Sequence, residues 1–520
     1  MDDAAAPGEP ARNNADIDHG KGGSASFDLL ILGGGITGAG IARLAARNGL
    51  RVALIERGDL ASGTSSVSSH MLHGGLRYLE HGRLNLVREA LTERAAVSRM
   101  APALARPRRF LVPLYRGDRL APWKLRAGLA LYDFLAGSRG LAPHQMTRAR
   151  DALGLEPEIS PAGLLGAGIY SDVVVDDARL VVAVARDAAA HGAAIHTWTE
   201  PVAARRAASP GARGASGSGE AGPGAIAITV RDRLGGAEQT LETRLVINAT
   251  GPWSDTTRRW LAAAISPGSA PPAPLLRPSR GVHLIYPALT RGHGLLLTAR
   301  SDGRVFFVVP FSDWSLVGTT ELEVPSPPPD RAFHPTLDEV TYLREELVRA
   351  LPEAAAPSPI TVVAGLRPLL ASTDSVGHAS REHRVIEEQG VITIAGGKFT
   401  TFRVMARDTL EVAARRLEHR APIHDSDHAL PSPLTGPATA EKIADHAIDF
   451  EFARRIEDVL RRRTTLWLAA DRGRVPARLI ADRMAVRLGW SAERTREEIA
   501  HWDSARHEDD ALLERSRQAG

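Results

Sequence analysis

Two short apolar segments near the start of the chain stand out against polar flanks. The first, residues 29–32 (LLIL), runs into the glycine-rich residues 33–38 (GGGITG) and then into helical spacing of apolar positions. The second, residues 52–55 (VALI), ends in Glu56. Parallel strands are buried on both faces, so continuous apolar runs are typical of them. The pattern therefore predicts a strand, a tight turn, a helix and a second strand.

The period of the apolar positions separates helices from strands in the rest of the chain. Helical spacing predicts helices at 84–100 and 337–351. Short β-rich runs with turns between them predict an antiparallel unit, and they lie at 281–286, 294–298, 304–310 and 314–318. A further strand, 391–395, ends in a glycine pair and leads into a helix, which repeats the pattern of the first unit.

These elements predict an α/β protein with a mostly antiparallel β domain inserted into a Rossmann-type domain. The expected boundaries are a disordered tail at 1–26, the Rossmann-type domain at 27–105, 151–270 and 385–420, a helical or substrate-domain segment at 106–150, the inserted substrate domain at 271–384, and a short C-terminal helical region at 438–505.

The glycine-rich turn and the acid after the second strand predict a dinucleotide site. Gly33 permits the tight turn, Gly35 permits close approach of a pyrophosphate, and Gly38 permits close packing of helix on strand. The helix N-terminus favours the anion, and Glu56 stands where a carboxylate binds ribose hydroxyls. An ordinary glycine turn is the alternative, and the acid at Glu56 argues against it.

Small and hydroxyl-bearing residues follow in the segment 61–78, which predicts a loop lying against a flat cofactor and its phosphates. An ordinary polar loop is the alternative. The segments 248–253 (NATGPW) and 396–401 (GGKFTT) each follow a predicted strand. Ligands of α/β sheets bind beyond the carboxyl ends of strands, so we expect both segments near the cofactor.

Composition narrows the class of protein. The 520 residues are 43% hydrophobic and contain no cysteine, which excludes disulfides, thiol catalysis and cysteine–metal sites. We expect no metal site. The net charge of +3 is too small to predict nucleic-acid binding, whereas the isoelectric point near 9.4 suits an anionic substrate or a membrane surface. Without a signal-like start or a long apolar run, the predicted location is the cytoplasm.

Several motifs together resemble the FAD-dependent glycerol-3-phosphate dehydrogenases, which are D-amino-acid-oxidase-like flavoproteins. The resemblance spans about residues 27–416 and rests on the segments 33–38, 65–80 (SSVSSHMLHGGLRYLE), 174–180 (VVDDARL), 248–253, 365–369 (GLRPL) and 396–401. It implies a Rossmann-type FAD-binding domain with non-covalent FAD, and oxidation of sn-glycerol 3-phosphate to dihydroxyacetone phosphate. Bacterial members are peripheral membrane enzymes that pass electrons to quinone.

The resemblance also assigns site residues. It implies catalytic roles for His283, Arg367 and Lys398, and substrate binding by Arg77, Tyr78, Arg367, Arg381 and Lys398. A phosphate dianion requires several fixed donors, which agrees with this cluster of cations. A core position is the alternative for His283. The residues implied in cofactor binding are Gly33, Gly35, Gly38, Glu56, Thr64, Ser65, Ser66, His73, Gly74, Gly75, Thr250, Gly251, Gly397, Lys398 and Thr400.

Two features depart from the family. His70 stands where the family usually has lysine, and the C-terminal helical region is shorter than in the longer bacterial members. These departures support only the second of two alternatives that stay open. The protein could be a related flavoenzyme for an amino acid or 2-hydroxy acid, or a non-catalytic FAD-binding scaffold.

The segment 116–135 is the predicted contact with the inner face of the membrane. Its bases, among them Lys124, would face anionic headgroups while Trp123, Leu125 and Leu129 enter the interface. A helix packed on the protein's own core is the alternative. Quinone is the expected acceptor, and a homodimer is a further expectation from the family.

Overall fold

Two β-sheets, one largely parallel and one largely antiparallel, organise the molecule. The structure is a computed structural model that describes residues 26–207, 225–353, 357–371 and 382–518. Residues 1–25 of the predicted tail, and Arg381, lie outside the described residues.

The first sheet places the glycine-rich turn at its centre. Its strands are β1 (Ser26–Leu32), β2 (Val52–Ile55), β7 (Ala194–His196), β8 (Thr199–Arg206), β9 (Ile226–Asp232), β10 (Glu238–Asn248), β17 (His383–Glu388) and β18 (Val391–Gly396). The order is β17-β18-β10-β1-β2-β7, and β8 and β9 extend it as a hairpin beside β10. The strands from β18 to β7 are parallel, and the apolar runs 29–32 and 52–55 are buried, as their composition predicts.

The second sheet carries the β-rich runs predicted for the inserted domain. Its strands are β3 (Met71–Leu72), β4 (Ala105–Tyr115), β5 (Gln145–Arg148), β6 (Leu164–Val175), β11 (Ser279–Pro287), β12 (Gly294–Thr298), β13 (Val305–Phe311), β14 (Trp314–Gly318), β15 (Leu322–Glu323) and β16 (Thr361–Arg367). The order is β15-β11-β14-β13-β12-β4-β6-β3, with β16 beside β11. Among the described strands of this second sheet, only β4 and β12 pair in parallel.

The helices cover the sheets and form the C-terminal region. They are α1 (Ile36–Arg47), α2 (Leu84–Met100), α3 (Pro122–Ala136), α4 (Ala149–Leu155), α5 (Asp177–Ala190), α6 (Ser254–Ile265), α7 (Leu337–Ala350), α8 (Phe402–Leu417), α9 (Ala440–Glu451), α10 (Arg474–Leu488) and α11 (Ala492–Gln518). Local capping explains two helix starts. Asp176 accepts a hydrogen bond from the Arg179 N–H, and Thr336 forms a capping box with Glu339.

The sheets divide the chain differently from the expected boundaries. The segment 106–150, expected to be helical or part of the substrate domain, contains the helix α3 but begins with the long strand β4 of the second sheet. The span 151–270, expected in the Rossmann-type domain, begins with the end of α4 and with β6. Strands β4 and β6 pair along their length in the second sheet. Arginines and prolines interrupt the alternation in β4, so its apolar pattern does not indicate a strand. The C-terminal helices extend to residue 518 rather than 505.

The apolar residues of α3 that were predicted to enter the membrane lie on different sides of the helix. Leu125 and Leu129 are buried in the core, so neither is available to enter a membrane, which corrects that part of the prediction. Trp123 and Phe134 instead face solvent, with 68% and 79% of their surfaces exposed. The helix therefore has a core-facing apolar side and a solvent-facing one.

The two sides of α3 should respond differently to mutation. Leu129→Ala should lower the free energy of unfolding by about 2–5 kcal/mol, because it leaves a cavity in the core. Phe134→Ala, the matched control on the exposed side, should change it by less than about 0.5 kcal/mol. Urea unfolding followed by circular dichroism measures both. Equal effects would contradict this orientation of α3.

Candidate active site

The glycine-rich turn brings the N-terminus of α1 to the end of β1. Gly33 has a φ of +109°, and a Cβ at Gly38 would overlap the Gly33 carbonyl oxygen, so this turn requires glycine at both positions. The Ile36 N–H at the first turn of α1 donates to Ser65 Oγ at 3.1 Å. Unpaired N–H groups and the helix dipole make this end of α1 suitable for a phosphate group.

Glu56 lies directly beside that turn. Its two carboxylate oxygens accept hydrogen bonds from the Gly34 N–H at 2.6 Å and from the Gly58 N–H at 2.7 Å. Burial raises the pKa of Glu56, and the two N–H groups act in the opposite direction. Each oxygen can accept a further bond, so Glu56 remains able to bind hydroxyl groups.

A cavity of about 2220 Å³ opens at the carboxyl ends of β1, β2, β10 and β18 and reaches the second sheet. It exceeds the roughly 300–1,000 Å³ of ordinary ligand pockets and has room for a large cofactor together with a substrate. Most predicted site residues line it: Gly33, Gly35, Glu56, Thr64, Ser65, His73, Gly75, Arg77, Tyr78, Thr250, Gly251, His283, Arg367, Gly397, Lys398 and Thr400.

Four residues that were named from the sequence do not line this cavity: Gly38, Ser66, His70 and Gly74. Ser66 and His70 line a small second cavity of about 30 Å³. The His70 Nδ1 is 3.0 Å from the Val175 carbonyl oxygen, and the ring packs on Phe311. The Gly74 N–H points at the buried Asp172 carboxylate, and a Cβ at Gly74 would overlap the Tyr132 hydroxyl, so Gly74 is a packing position. Gly38 packs α1 against the turn.

The register of the second sheet brings His283 and Arg367 to one face. On β11, His283 stands opposite Gly318 of β14, and Ser279 stands opposite Arg367 of β16. Residues two apart on a strand share a face, so both side chains project from the same side of the sheet. Glycine is required between them, because a Cβ at Gly281 would overlap the Arg367 guanidinium.

His283 is buried and neutral. Burial, together with the positive charge of Arg367, lowers the pKa of His283 to about 3. The ring Nε2 is 3.0 Å from Ser69 Oγ, while Nδ1 is buried without a hydrogen-bond partner. A neutral imidazole keeps one nitrogen lone pair that can accept a proton.

The cationic side chains hold defined positions. Arg367 donates to the Thr319 hydroxyl at 2.6 Å and to the Thr320 carbonyl oxygen at 3.2 Å. The Lys398 Nζ lies 4.0 Å from the centroid of the Tyr78 ring, a cation–π contact. Arg77 Nη1 is 3.9 Å from Glu321 Oε1. The cavity therefore presents positive charge from both sheets.

Ser69 and Glu321 also line the cavity, and neither was predicted as a site residue from the sequence. Ser69 lies within the motif 65–80, and its contact with His283 spans 214 residues of sequence. Glu321 follows β14 in an ordinary polar turn and reaches Arg77 only through the fold of the second sheet. Periodicity carries no signal for such long-range pairs. Because Ser69 lies within the motif 65–80, the sequence could have predicted it as a site residue.

The glycine turn on α1, the acid at the end of β2 and the cavity at the carboxyl ends of the strands define a dinucleotide-binding α/β protein. The sequence matches the family of FAD dependent oxidoreductases, abbreviated DAO, over residues 28–411. The chain belongs to that family, and FAD is its cofactor.

Two relatives extend this assignment. A glycerol-3-phosphate dehydrogenase of Mycobacterium leprae is 34% identical over 545 residues, covering 93% of this chain and 88% of that protein. The mitochondrial glycerol-3-phosphate dehydrogenase of Rattus norvegicus is 36% identical over 414 residues, covering 75% of this chain and 53% of that protein. The resemblance inferred from the motifs is confirmed.

Solved structures agree on the fold. The glycerol-3-phosphate dehydrogenase of Bacillus halodurans, complexed with FAD, superposes with a TM-score of 0.69 at 23% identity and covers 94% of each chain. A glycine oxidase of Geobacillus kaustophilus gives 0.56 at 20% identity, covering 79% of this chain and all of that one. The predicted fold class is confirmed.

The residues present fit FAD. The first turn of α1 and Ser65 would hold the pyrophosphate, and Glu56 would hold the ribose hydroxyls. At the other end of the cavity, the turn at Gly397 and Thr400 leads into α8, whose N-terminus supplies positive potential to a flavin ring. Among the described residues, no acid and histidine cluster is suited to a metal ion.

The buried histidine should produce a measurable pH dependence of stability. Below pH 6.5 the unfolded chain protonates His283, whereas the folded protein does so only near pH 3, so the free energy of unfolding should fall as the pH falls. His283→Asn should reduce this slope between pH 4 and 6 by about 1.4 kcal/mol per pH unit. Urea unfolding across that range measures it. An unchanged slope would show that His283 is protonated in the fold.

Proposed function

We propose that this protein oxidises sn-glycerol 3-phosphate at C2 to dihydroxyacetone phosphate and passes the electrons to a quinone. The observation that supports this most strongly is the placement of neutral His283 and cationic Arg367 on one face of the second sheet, in the same cavity as the FAD motifs. The similarity to glycerol-3-phosphate dehydrogenases supports the same substrate.

The cations suit a phosphate dianion. Arg367 has a planar fork of donors held by Thr319 and Thr320, and Lys398 and Arg77 contribute positive charge from the first sheet and the loop after β3. A carboxylate substrate needs one arginine, whereas a dianion needs several fixed donors. Arg381 is proposed as a further phosphate ligand from the sequence, and it lies outside the described residues.

His283 is the proposed base for the C2 hydroxyl proton. Its pKa is low partly because of the charge on Arg367, and a phosphate dianion bound at Arg367 would offset that charge and raise the pKa. Substrate binding would therefore strengthen the base where it is needed. Ser69 holds the ring through Nε2. FAD, when bound, supplies the acceptor for the hydride leaving C2.

Turnover by arginine variants tests the substrate assignment. Arg367→Ala should lower kcat/KM for sn-glycerol 3-phosphate by at least about 10²-fold, since it removes charge-assisted hydrogen bonds to a buried dianion. Arg99→Ala, which breaks an exposed ion pair with Asp427, is the matched control and should leave kcat/KM unchanged. A dye-linked assay with identification of dihydroxyacetone phosphate measures both. Near-normal catalysis by Arg367→Ala would remove Arg367 from the site.

Flavin reduction tests His283 as the base. His283→Asn should slow anaerobic reduction of bound FAD by substrate by about 10²–10⁴-fold while changing substrate affinity far less. Ser69→Ala should give a smaller decrease, because it frees the ring without removing it. Stopped-flow absorbance at the flavin band measures the rate. Reduction at the wild-type rate in His283→Asn would return His283 to a core role.

Helix α3 is the proposed site of reversible membrane contact. Its solvent-facing side exposes Trp123 and Phe134 beside Lys124 and Arg126, which suits an anionic lipid surface. Lys124, Gly128 and Leu131 of the same helix line the cavity, which would give a lipid-soluble quinone a short route to the flavin. In the described ranges, no helix combines the length and apolarity needed to cross a membrane.

Liposome binding tests this surface. Trp123→Ser/Phe134→Ser should weaken binding to anionic vesicles at low salt, because it removes the exposed apolar side. Val475→Ser/Val486→Ser on α10, which replaces two comparably exposed apolar residues, is the control and should bind as wild type. Co-sedimentation at low and high salt measures both. Equal binding by the α3 variant, or no binding by the wild type at low salt, would exclude α3 as the contact.

A further inference from the structure

A buried ionic network joins the C-terminal helical region to the loop that follows β2. Asp59 in that loop is fully buried, and Arg463 contacts its two carboxylate oxygens with both terminal nitrogens at 2.6 Å. Arg462 adds a contact from Nε to Asp59 Oδ2 at 2.5 Å. Both arginines belong to a single π-helical turn, Asp458–Arg463, between α9 and α10. The contacts span about 400 residues of sequence.

A second connection runs through Trp198, which lies between β7 and β8. The indole N–H of Trp198 donates to Asp458 Oδ2 at 3.0 Å, and Asp458 Oδ1 accepts from Arg462 Nη2 at 2.8 Å. The Arg455 guanidinium lies 5.1 Å from the Trp198 ring centroid. The same π-helical turn therefore holds two separate segments of the first sheet.

Both segments form the wall of the cavity at the dinucleotide turn. Glu56 and Gly58 line the cavity just before Asp59, and Trp198 lines it beside them. The backbone N–H of Trp198 donates to the Gly58 carbonyl oxygen at 2.7 Å, and the backbone N–H of Gly58 donates to Glu56 Oε1. A continuous path of hydrogen bonds thus runs from the C-terminal region to the carboxylate expected to bind ribose.

The chemistry of the network makes that path sensitive to docking of the C-terminal region. A buried carboxylate deprived of its arginines is strongly destabilised, so the loop at Asp59 holds this position only while Arg462 and Arg463 are in place. Buried ion pairs often add little net stability compared with apolar packing. Their presence here is better explained by the position that they impose on the loop.

We propose that the C-terminal helical region, residues 440–518, is a positioning unit for the adenosine end of the FAD site, acting through Arg462, Arg463 and Trp198. None of these arginines lines the cavity, so they act through the loop and the tryptophan rather than by touching the cofactor. This role concerns the binding of FAD and does not depend on which substrate the protein oxidises.

FAD affinity of the full chain tests the proposal. Trp198→Phe keeps the ring but removes its N–H donor, and we expect the Kd for FAD to rise about tenfold. Arg463→Lys loses the fork on Asp59 and should raise the Kd by about 10–100-fold. The control Arg483→Ala breaks an ion pair with Asp445 within the C-terminal region and should leave the Kd within twofold. Quenching of FAD fluorescence on titration with apoprotein measures all three.

Hydrogen exchange separates positioning from general stability. Coupling is reciprocal, so adding FAD to the wild-type apoprotein should slow amide exchange in residues 440–470, and Trp198→Phe should reduce that protection. At saturating FAD, the KM for substrate should be unchanged in Trp198→Phe. Exchange unaffected by FAD, or wild-type affinity for FAD in both variants, would show that the C-terminal region merely packs against the first sheet.

Discussion

The antiparallel register among β11, β14 and β16 is the constraint on which the candidate site depends. It sets His283 and Arg367 on one face, and the glycines at 281 and 318 leave room for their side chains. The closeness of the two groups has an electrostatic consequence, because the positive charge of Arg367 adds to burial in lowering the pKa of His283. In the proposed mechanism, a substrate anion bound at Arg367 would offset this charge and raise the pKa of the imidazole.

The first sheet supplies the other half of the site. Its parallel strands end together at the glycine turn, Glu56, Thr250 and Gly397, which places a dinucleotide across their carboxyl ends. Thr64 joins the two halves directly, since its hydroxyl donates to the Leu366 carbonyl oxygen on β16. The flavin site and the proposed base are therefore connected through one loop, and relative movement of the sheets would disturb both.

Local signals in the sequence predicted most of the first sheet and several helices. The run 29–32, the glycines after it and Glu56 act within one strand–turn–helix unit, and the capping residues of α7 lie beside that helix. Strands β4 and β6, which pair with each other, were not predicted. Arginines and prolines break the alternation of apolar and polar residues in β4. The orientation of α3 escaped prediction because apolar residues lie on both of its sides.

Only those residues of the candidate site that belong to recognisable sequence motifs could be predicted. His283, Arg367 and Lys398 were named from the resemblance to a family, whereas the Glu321 contact with Arg77 and the Asp59 contacts with Arg462 and Arg463 depend on residues far apart in sequence. Such pairs follow from sheet register and from domain docking, which composition and periodicity do not encode.

Anaerobic reduction of the bound FAD is the most direct measurement of the central claim. On titration with sn-glycerol 3-phosphate, the flavin absorbance should bleach with one equivalent of substrate per FAD, whereas glycerol, glycine and a simple 2-hydroxy acid should leave it oxidised. Bleaching by glycine or the hydroxy acid, with glycerol 3-phosphate inert, would contradict the substrate assignment. Bleaching by dithionite alone would show that the protein binds FAD without turning over any of these compounds.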